Sequence, residues 1–553
     1  MKKWQKTLAL CMAVMASAST LASCGGDQGI GTSTISIDPT KTQVLVGVFD
    51  GGLGRDWFEA VKKKYEAINP NVQIIPRYDK ARYETTQMLA NYGAYDEDLF
   101  LVDLVTVEYR DEGMYYDITD AVSTPLTEFG ESKSILDKMT VDMQTAMKEE
   151  DGKYYALPYY EGFYSTYYDI RLFEDKAFYM DGNGGYSDGS VKSKGKDGVA
   201  GTYDDGLPAT VEEFFTLCDH MLQKGVTPFT WAGTAGFYTT QMLENFWMSY
   251  EGYENTRLSY TLNSGDAEYT FLDGTSEKIT RENAYKLKDG QAGKLAALEF
   301  AYSILNGYNG KNGGGKYHSG KVWATGQTHM AAQDEFLFSS ALNQPIAFLV
   351  DGTWWEREAA ESFASLYKRT KDKEDKYGNR RFGLMPMPTL HGENNEQGKE
   401  TVISSIVDSR VFVNKNTDVA EEAISFFRYL HTNEAMSIMT SLSNTFRPFD
   451  YVVTETDKAN MTPLCKQISE VFKSENSTAK LLPDMVLDPC FKDTGFFGYA
   501  KWSFGSNLGI YSYYPIDEMH SRNITAAEYL ASMQIDQAKW QARITEWTSY
   551  QQQ

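Results

Sequence analysis

Val44-Leu-Val-Gly-Val-Phe49, Asp50-Gly-Gly-Leu-Gly54, a helical stripe of Trp57, Phe58, Val61, Tyr65 and Ile68, then Asn69-Pro70 and Val72-Gln-Ile-Ile75: this run decides the fold. Its first six residues are short and apolar, the pattern of a buried strand. An aspartate and three glycines then make a turn. The next apolar residues recur at helical spacing and mark one buried face. Asp56, with Glu59 three residues on, suits the helix start, and Asn69-Pro70 suits its stop. Val72 to Ile75 reads as a second strand. Strand, turn, helix, strand is a βαβ unit, and such units build parallel sheets. The expected class is α/β.

Further elements follow outward from this unit. Leu99 to Val107 is another buried-strand candidate. Thr210 and Glu213 form a capping box ahead of Phe214, Leu217, Cys218, Met221 and Leu222, so Cys218 is expected in the core. Ile346 to Val350 is a strand that runs into Asp351-Gly-Thr-Trp-Trp355. Val402 to Val413 leads into a late βα unit whose helix spans about 418–431. Gly- and Asp-rich loops occupy 181–206 and 306–316. No internal repeat stands out.

The 553 residues are too many for one core, so two or three domains are expected. The net charge of −23 is spread along the chain, which makes nucleic acid and anionic lipid surfaces poor partners. The chain carries 37 tyrosines, 29 phenylalanines and 10 tryptophans. That fits either aromatic-rich packing or a site that stacks on the apolar faces of a polar ligand. Beyond Cys24 only Cys218, Cys465 and Cys490 remain, too few for a disulfide scaffold; at most Cys465 pairs with Cys490.

Lys2, Lys3 and Lys6 precede the short apolar run Leu8 to Ala18, and Leu21-Ala-Ser-Cys24 follows. A charged start, a short apolar core and a small-residue cut site describe a secretory signal. The ending resembles the lipobox of bacterial lipoproteins. That resemblance implies a signal peptide over 1–23, lipidation of Cys24 and a lipid-anchored protein facing outside the cytoplasm. Residues 24–41, rich in Gly, Ser and Thr, read as a flexible tether. No later apolar run reaches transmembrane length, so the lipid is the expected anchor.

Several phrases, in order, resemble the family-1 extracellular solute-binding proteins of ABC importers. They are the opening βαβ unit with Ile68-Asn-Pro-Asn-Val72, then Asp151-Gly-Lys-Tyr-Tyr-Ala-Leu-Pro158, Tyr167-Tyr-Asp169 and Leu172-Phe173. Pro208-Ala-Thr-Val-Glu-Glu-Phe214, the Gly352-Thr-Trp-Trp355 segment and the late helix with Ala420, Ala423, Phe426 and Phe427 complete the set. The resemblance implies a two-lobed periplasmic-binding-protein-like fold with a hinge and a ligand cleft between the lobes. It assigns 42–158 with 401–450 to one lobe, and 159–400 with 451–553 to the other.

Ligands of α/β sheets bind at loops on the carboxyl ends of strands, which selects Asp50, Asp103 and Asp351. Each is also an ordinary turn residue. Tyr159, Tyr160 and Glu161 follow Leu157-Pro158, where the resemblance puts a crossover and part of the cleft. Trp231, Trp354 and Trp355 are stacking candidates, each equally suited to a core. Adjacent tryptophans on an extended segment face opposite ways, so one of Trp354 and Trp355 is expected inside.

Asp181, Asn183, Asp188, Asp197, Asp204 and Asp205 sit among glycines in a calcium-like loop, with Lys192 where an EF-hand has glutamate. A solvated loop is the alternative to structural calcium. No other cofactor is required. Gly310 to Lys316 mimics a phosphate loop by chance, since Tyr317 replaces its Ser or Thr. No nucleophile or zinc motif occurs.

The combined expectation is a non-enzymatic, monomeric receptor that captures a carbohydrate, an oligosaccharide by preference, for an ABC permease in the membrane. The alternatives are a surface glycoside hydrolase, which would need two spaced carboxylates, and a ligand sensor.

Overall fold

The computed structural model describes residues 36–83, 94–103, 113–310, 317–388, 401–407, 409–472, 478–491, 503–505 and 511–550. The leader with Cys24, and with it the lipid anchor, lies outside the described residues, as does the strand candidate beyond Asp103.

The opening unit forms as the pattern dictates. Strand β1 (Thr42–Val48) pairs in parallel with β2 (Val72–Tyr78), from Thr42↔Val72 to Val48↔Tyr78, and with β3 (Leu99–Val102). The helix Asp56–Ile68 between β1 and β2 buries Trp57, Phe58, Val61 and Tyr65. Each such side chain contributes about 1.5–3 kcal/mol on leaving water. Ile68 shares their face but ends the helix, and it is exposed.

Strand β4 (Tyr164–Asp169) starts a second body. Two short pairs decorate it, β5 (Tyr179–Met180) with β6 (Tyr186–Ser187), and β8 (Glu268–Thr270) with β9 (Ser276–Lys278). Between them runs β7 (Thr227–Trp231), preceded by the helix Val211–Gln223 with its capping box, Thr210 to Glu213, in place and Cys218 buried. Then come β10 (Ile346–Gly352) and β11 (Phe382–Met385). The second sheet has the order β11-β4-β10-β7, with β4 antiparallel to both neighbours and β10 parallel to β7.

The late segment splits where the sequence reading had one unit. Strand β12 (Thr401–Ser404) pairs with β14 (Thr478–Leu481) and lies against the helix Phe237–Glu251, where Val402 N–H donates to Ser249 Oγ at 3.0 Å. Strand β13 (Arg410–Val413) instead returns to the first sheet, antiparallel to β3, giving the order β13-β3-β1-β2. The next helix, Ala420–Leu430, packs on the opening helix through Phe426, whose ring lies 5.9 Å from Phe58 and 4.9 Å from Tyr65.

Each sheet thus has its own buried apolar cluster. The last three helices join the second body: Trp540 donates to the Arg281 carbonyl at 2.7 Å, and His520 stacks on Trp323 at 3.7 Å. Cys218, Cys465 and Cys490 are buried free thiols, so Cys465 and Cys490 do not pair.

The chain crosses between the bodies near Leu157–Gly162, Ile406–Val411 and Phe446. These crossings bridge one another at Leu157↔Val411, Gly162↔Ile406 and Glu161↔Phe446. Among the described residues no helix is long and apolar enough to cross a membrane.

Candidate functional site

The carboxyl ends of β1 and β10 meet at a mouth between the two bodies. On the first side the turn after β1 exposes Asp50, which holds Arg55 at 2.5 Å while Arg55 lies over the Tyr78 ring. On the second side β10 ends in Asp351-Gly352, and Trp354 follows. Trp354 has helical backbone angles (φ −82°, ψ −7°) and caps the helix Trp355–Glu358. The two tryptophans therefore diverge because the chain turns into a helix, not because it is pleated. Trp355 enters a cluster with Tyr167, Phe336, Phe363 and Phe382. Trp354 stays half-buried at the mouth.

Three glycines from three segments make room for the Trp354 indole. A Cβ on Gly52, Gly162 or Gly352 would meet it at 2.7, 2.6 or 2.5 Å. The indole thus touches the first body, a crossover strand and the second sheet. Arg357, one turn on, pairs with Asp56 of the first body at 2.5 Å. The mouth is closed at this point.

An aromatic wall extends from Trp354. Tyr164 sits edge-on to it at 5.1 Å and touches Phe237 at 5.5 Å and Tyr238 at 4.6 Å. Phe237 and Tyr238 lie 4.7 Å apart at the start of the helix that follows β7. Phe237 is 37% exposed, unusual for a phenylalanine beside two aromatic rings. Tyr160 approaches Trp354 at 6.4 Å from the crossover.

Behind the wall lies a polar relay. Gln333 Nε2 donates to Asp351 Oδ2 at 3.1 Å and to Glu358 Oε2 at 2.8 Å, and His329 Nε2 lies 3.3 Å from Glu358 Oε1. Burial, then the charge of Glu358, pushes the Asp351 carboxyl well above the usual range. Burial also opposes the charge on Glu358, but the hydrogen bond and charge of His329 hold its carboxyl below that range. The two neighbouring carboxyls are thus shifted in opposite directions, Asp351 up and Glu358 down.

The remaining sequence candidates separate by place. Asp103, Tyr159, Tyr160 and Glu161 gather at the crossovers. Asp103 accepts the Tyr160 hydroxyl at 2.9 Å. Glu161 is buried and accepts from Lys480 of β14 at 2.6 Å and from Ser405 at 2.9 Å, so it ties its crossover to two segments of the second body. Tyr159 is enclosed in the first core. Trp231 is enclosed between His318 and Trp323 in the second core, and the structure does not bring it to the mouth. Asp351 is buried behind the wall rather than exposed on it. Sequence reasoning missed Tyr164, Phe237, Tyr238, His329 and Glu358. The one available signal was Gly233-Thr-Ala-Gly-Phe-Tyr238, a Gly-rich turn ending in aromatics directly after a strand.

The loop 181–206 spends its carboxylates on its own backbone. Asp181 accepts the Asn183 and Gly185 amides at 2.7 and 2.9 Å. Asp188 accepts Ser190, Asp197 accepts Val199, and Asp205 accepts Gly201. Asp204 is buried and accepts from Lys196 N, Asp197 N and the Thr202 hydroxyl. Among the described residues no three His, Cys, Asp or Glu side chains converge as a metal site would need. The calcium expected from Asp181, Asn183, Asp188, Asp197, Asp204 and Asp205 therefore has no gathered ligand set here.

Two concavities lie away from the mouth. One, of about 430 Å³, is lined by Glu251–Asn255 and Ala479, at the far end of the helix that begins with Phe237. Fourteen residues of helix separate the two ends by roughly 21 Å. The other, of about 290 Å³, lies beside Asp169 and Arg380 at the opposite end of β4 from Tyr164, and ion pairs line it. Neither combines an aromatic wall with both bodies, so the mouth is the better candidate despite its closure.

No family model and no curated protein matches the chain. Solved structures do. A structure from work on xylan utilization by the thermophilic bacterium Caldanaerobius polysaccharolyticus matches with TM-score 0.55 and 16% identity, covering 89% of this chain and 99% of that one. A chitin oligosaccharide binding protein matches at TM-score 0.52 and 17% identity, over 91% and 99%. A probable secreted solute-binding lipoprotein from Streptomyces coelicolor matches at 0.53 and 13%, over 90% and 98%. The chain has the two-lobed α/β fold of these solute-binding proteins.

Proposed function

We propose that the protein is a non-enzymatic receptor that captures a carbohydrate between its two lobes and delivers it to an ABC importer. The observation that carries this reading is the wall of Trp354, Tyr164, Phe237 and Tyr238 at the mouth where the lobes meet. A sugar ring offers apolar C–H faces to flat aromatic partners and a hydroxyl rim to fixed acceptors. Asp50 on the first lobe, and the partly exposed Glu358 and His329 on the second, supply that rim. Ligand bridging both sides would favour the closed form, which is how such a receptor reports occupancy. The neighbours of like fold include an oligosaccharide-binding protein, which favours an oligosaccharide.

We assign β13 and the helices after it to the first lobe with 42–158, and β12 with the C-terminal helices to the second. Lipidation of Cys24 holds the receptor at the membrane in this reading. Cys24→Ala should shed the protein into the medium or leave its leader uncut; equal membrane retention would remove the anchor from the proposal. The central test is a thermal-shift screen against mono- and oligosaccharides, with reducing-sugar release followed in parallel. A glycan at 100-fold over its dissociation constant should add about 2.7 kcal/mol. Sugar release would favour a hydrolase instead, and silence across the whole panel would overturn the carbohydrate reading.

A further inference from the structure

Arg447 is 2% exposed, and among the described residues its guanidinium faces no carboxylate. Nη1 points at the Met439 sulfur, 3.5 Å away, and the Phe449 ring lies under the group at 5.5 Å. Nε and Nη2 have no hydrogen-bond partner. These two nitrogens form one edge of the guanidinium, a fork of parallel N–H bonds suited to gripping an anion side-on. Arginine does not escape burial by losing its proton under ordinary conditions, although burial pushes this one down to about 9.

The surroundings deepen the imbalance. The antiparallel bridge Glu161↔Phe446 sets Arg447 across from Tyr160 and one step from Tyr159. Tyr159 is 1% exposed, its hydroxyl also lacks a partner, and it interacts electrostatically with Arg447. Lys138, 4% exposed, is the second cation of this shell; it donates to Glu131 at 2.5 Å and to the His431 carbonyl at 2.8 Å. His431 donates through Nδ1 to the Phe427 carbonyl and is held neutral by burial, then by Arg447. Of the other described acids nearby, Glu161 pairs with Lys480 and accepts from Ser405, Asp450 pairs with Lys133, and Asp103 accepts the Tyr160 hydroxyl and acts electrostatically on Tyr159 rather than on Arg447. Among the described residues no carboxylate reaches the Arg447 guanidinium, so its charge has no direct partner. Leaving a buried charge uncompensated is strongly destabilising.

We propose that a single small monovalent anion, chloride in solution, binds the Nε/Nη2 edge of Arg447 at the crossover between the lobes, with the Tyr159 hydroxyl as a further donor. One negative charge matches the single charge of Arg447. Lys138 is already taken by Glu131 and the His431 carbonyl, so among the described residues no second open cation is offered to a phosphate or a sulfate. The site is separate from the sugar mouth and stands whatever ligand that mouth takes.

The test uses the purified protein at fixed ionic strength, with sodium chloride exchanged for sodium gluconate. Chloride should raise the melting temperature saturably, by about 2–4 °C. Arg447→Met should abolish the response, and Tyr159→Phe should shift its midpoint several-fold to higher chloride. Crystals grown in bromide should show an anomalous peak beside Arg447. Equal melting in the two salts, an unchanged response in Arg447→Met, or a bromide map blank at Arg447 would each overturn the site. If Arg447→Met fails to fold, Tyr159→Phe and the bromide map decide alone.

Discussion

At Trp355 the indole is enclosed by Phe336, Phe363 and Phe382, whereas at Trp354 it rests on glycines at the mouth. Truncation should separate these environments. Trp355→Ala should cost about 3–5 kcal/mol of stability, as large core deletions do. Trp354→Ala should melt nearly normally and lose about 2 kcal/mol or more of glycan binding. Calorimetry on both variants checks this, and normal binding by Trp354→Ala would move the aromatic platform elsewhere. The next residue but one carries a pH signature. Glu356 is buried, accepts from Thr462 at 2.6 Å and leaves Oε1 without a partner. Burial pushes its carboxyl up to about 8, despite the Thr462 bond. The folded state thus holds this proton more tightly than the unfolded chain. Its stabilising contribution is full below the ordinary carboxylate pKa and is lost as pH rises through about 8. Glu356→Gln should flatten melting temperature against pH across that window; an unchanged profile would mean another group governs it. Individual side-chain roles were the least legible part of the sequence. Trp231 and Trp354 both follow strands, but only packing from His318 and Trp323 decides that the first is enclosed. Glu358 and His329 lie on two different helices and meet only in three dimensions.

Elements were far easier to read than side chains. The capping box at Thr210 and the helical stripe from Trp57 are local signals, and local physics decides them. The split of 401–413 into two strands on different bodies was not legible, because β12 and β13 differ in partner rather than in composition. The loop 181–206 shows the same limit: its acid–glycine pattern suits a cation and suits self-capping equally well. Its geometry favours self-capping, with Asp204 at the centre. Asp204→Ala removes acceptors for two amides and one hydroxyl, and should cost roughly 2 kcal/mol or more. EDTA should leave the wild-type melting temperature where it is. A chelator-induced drop, abolished in Asp204→Ala, would restore the calcium expectation. The raised carboxyl of Asp204, shifted chiefly by burial, adds a sign: its proton binds more tightly in the folded state, so that contribution fades as pH rises.

In the proposed receptor the two bodies open and close over the ligand. Besides the three crossovers, Arg257 of the second body pairs with Asp142 of the first at 3.1 Å, and Met485 enters the first core. At the mouth itself the bodies touch through Arg357 with Asp56 and Trp354 against Gly52. The ion pair is half exposed on its Asp56 side, so it contributes modestly. Gly52 matters more, because its missing side chain lets the turn after β1 reach the indole. A Cβ there would come within 2.7 Å of Trp354 Cδ1. Gly52→Val should therefore wedge the mouth without disturbing either core, since the clash lies across the gap and opening relieves it. Melting temperature should stay near that of wild type. Small-angle scattering should report a larger radius of gyration, and glycan affinity should fall at least tenfold, because an opened mouth engages ligand from one lobe only. A variant that scatters like wild type and binds normally would show that Trp354 yields to the wedge, and that closure is governed by other contacts.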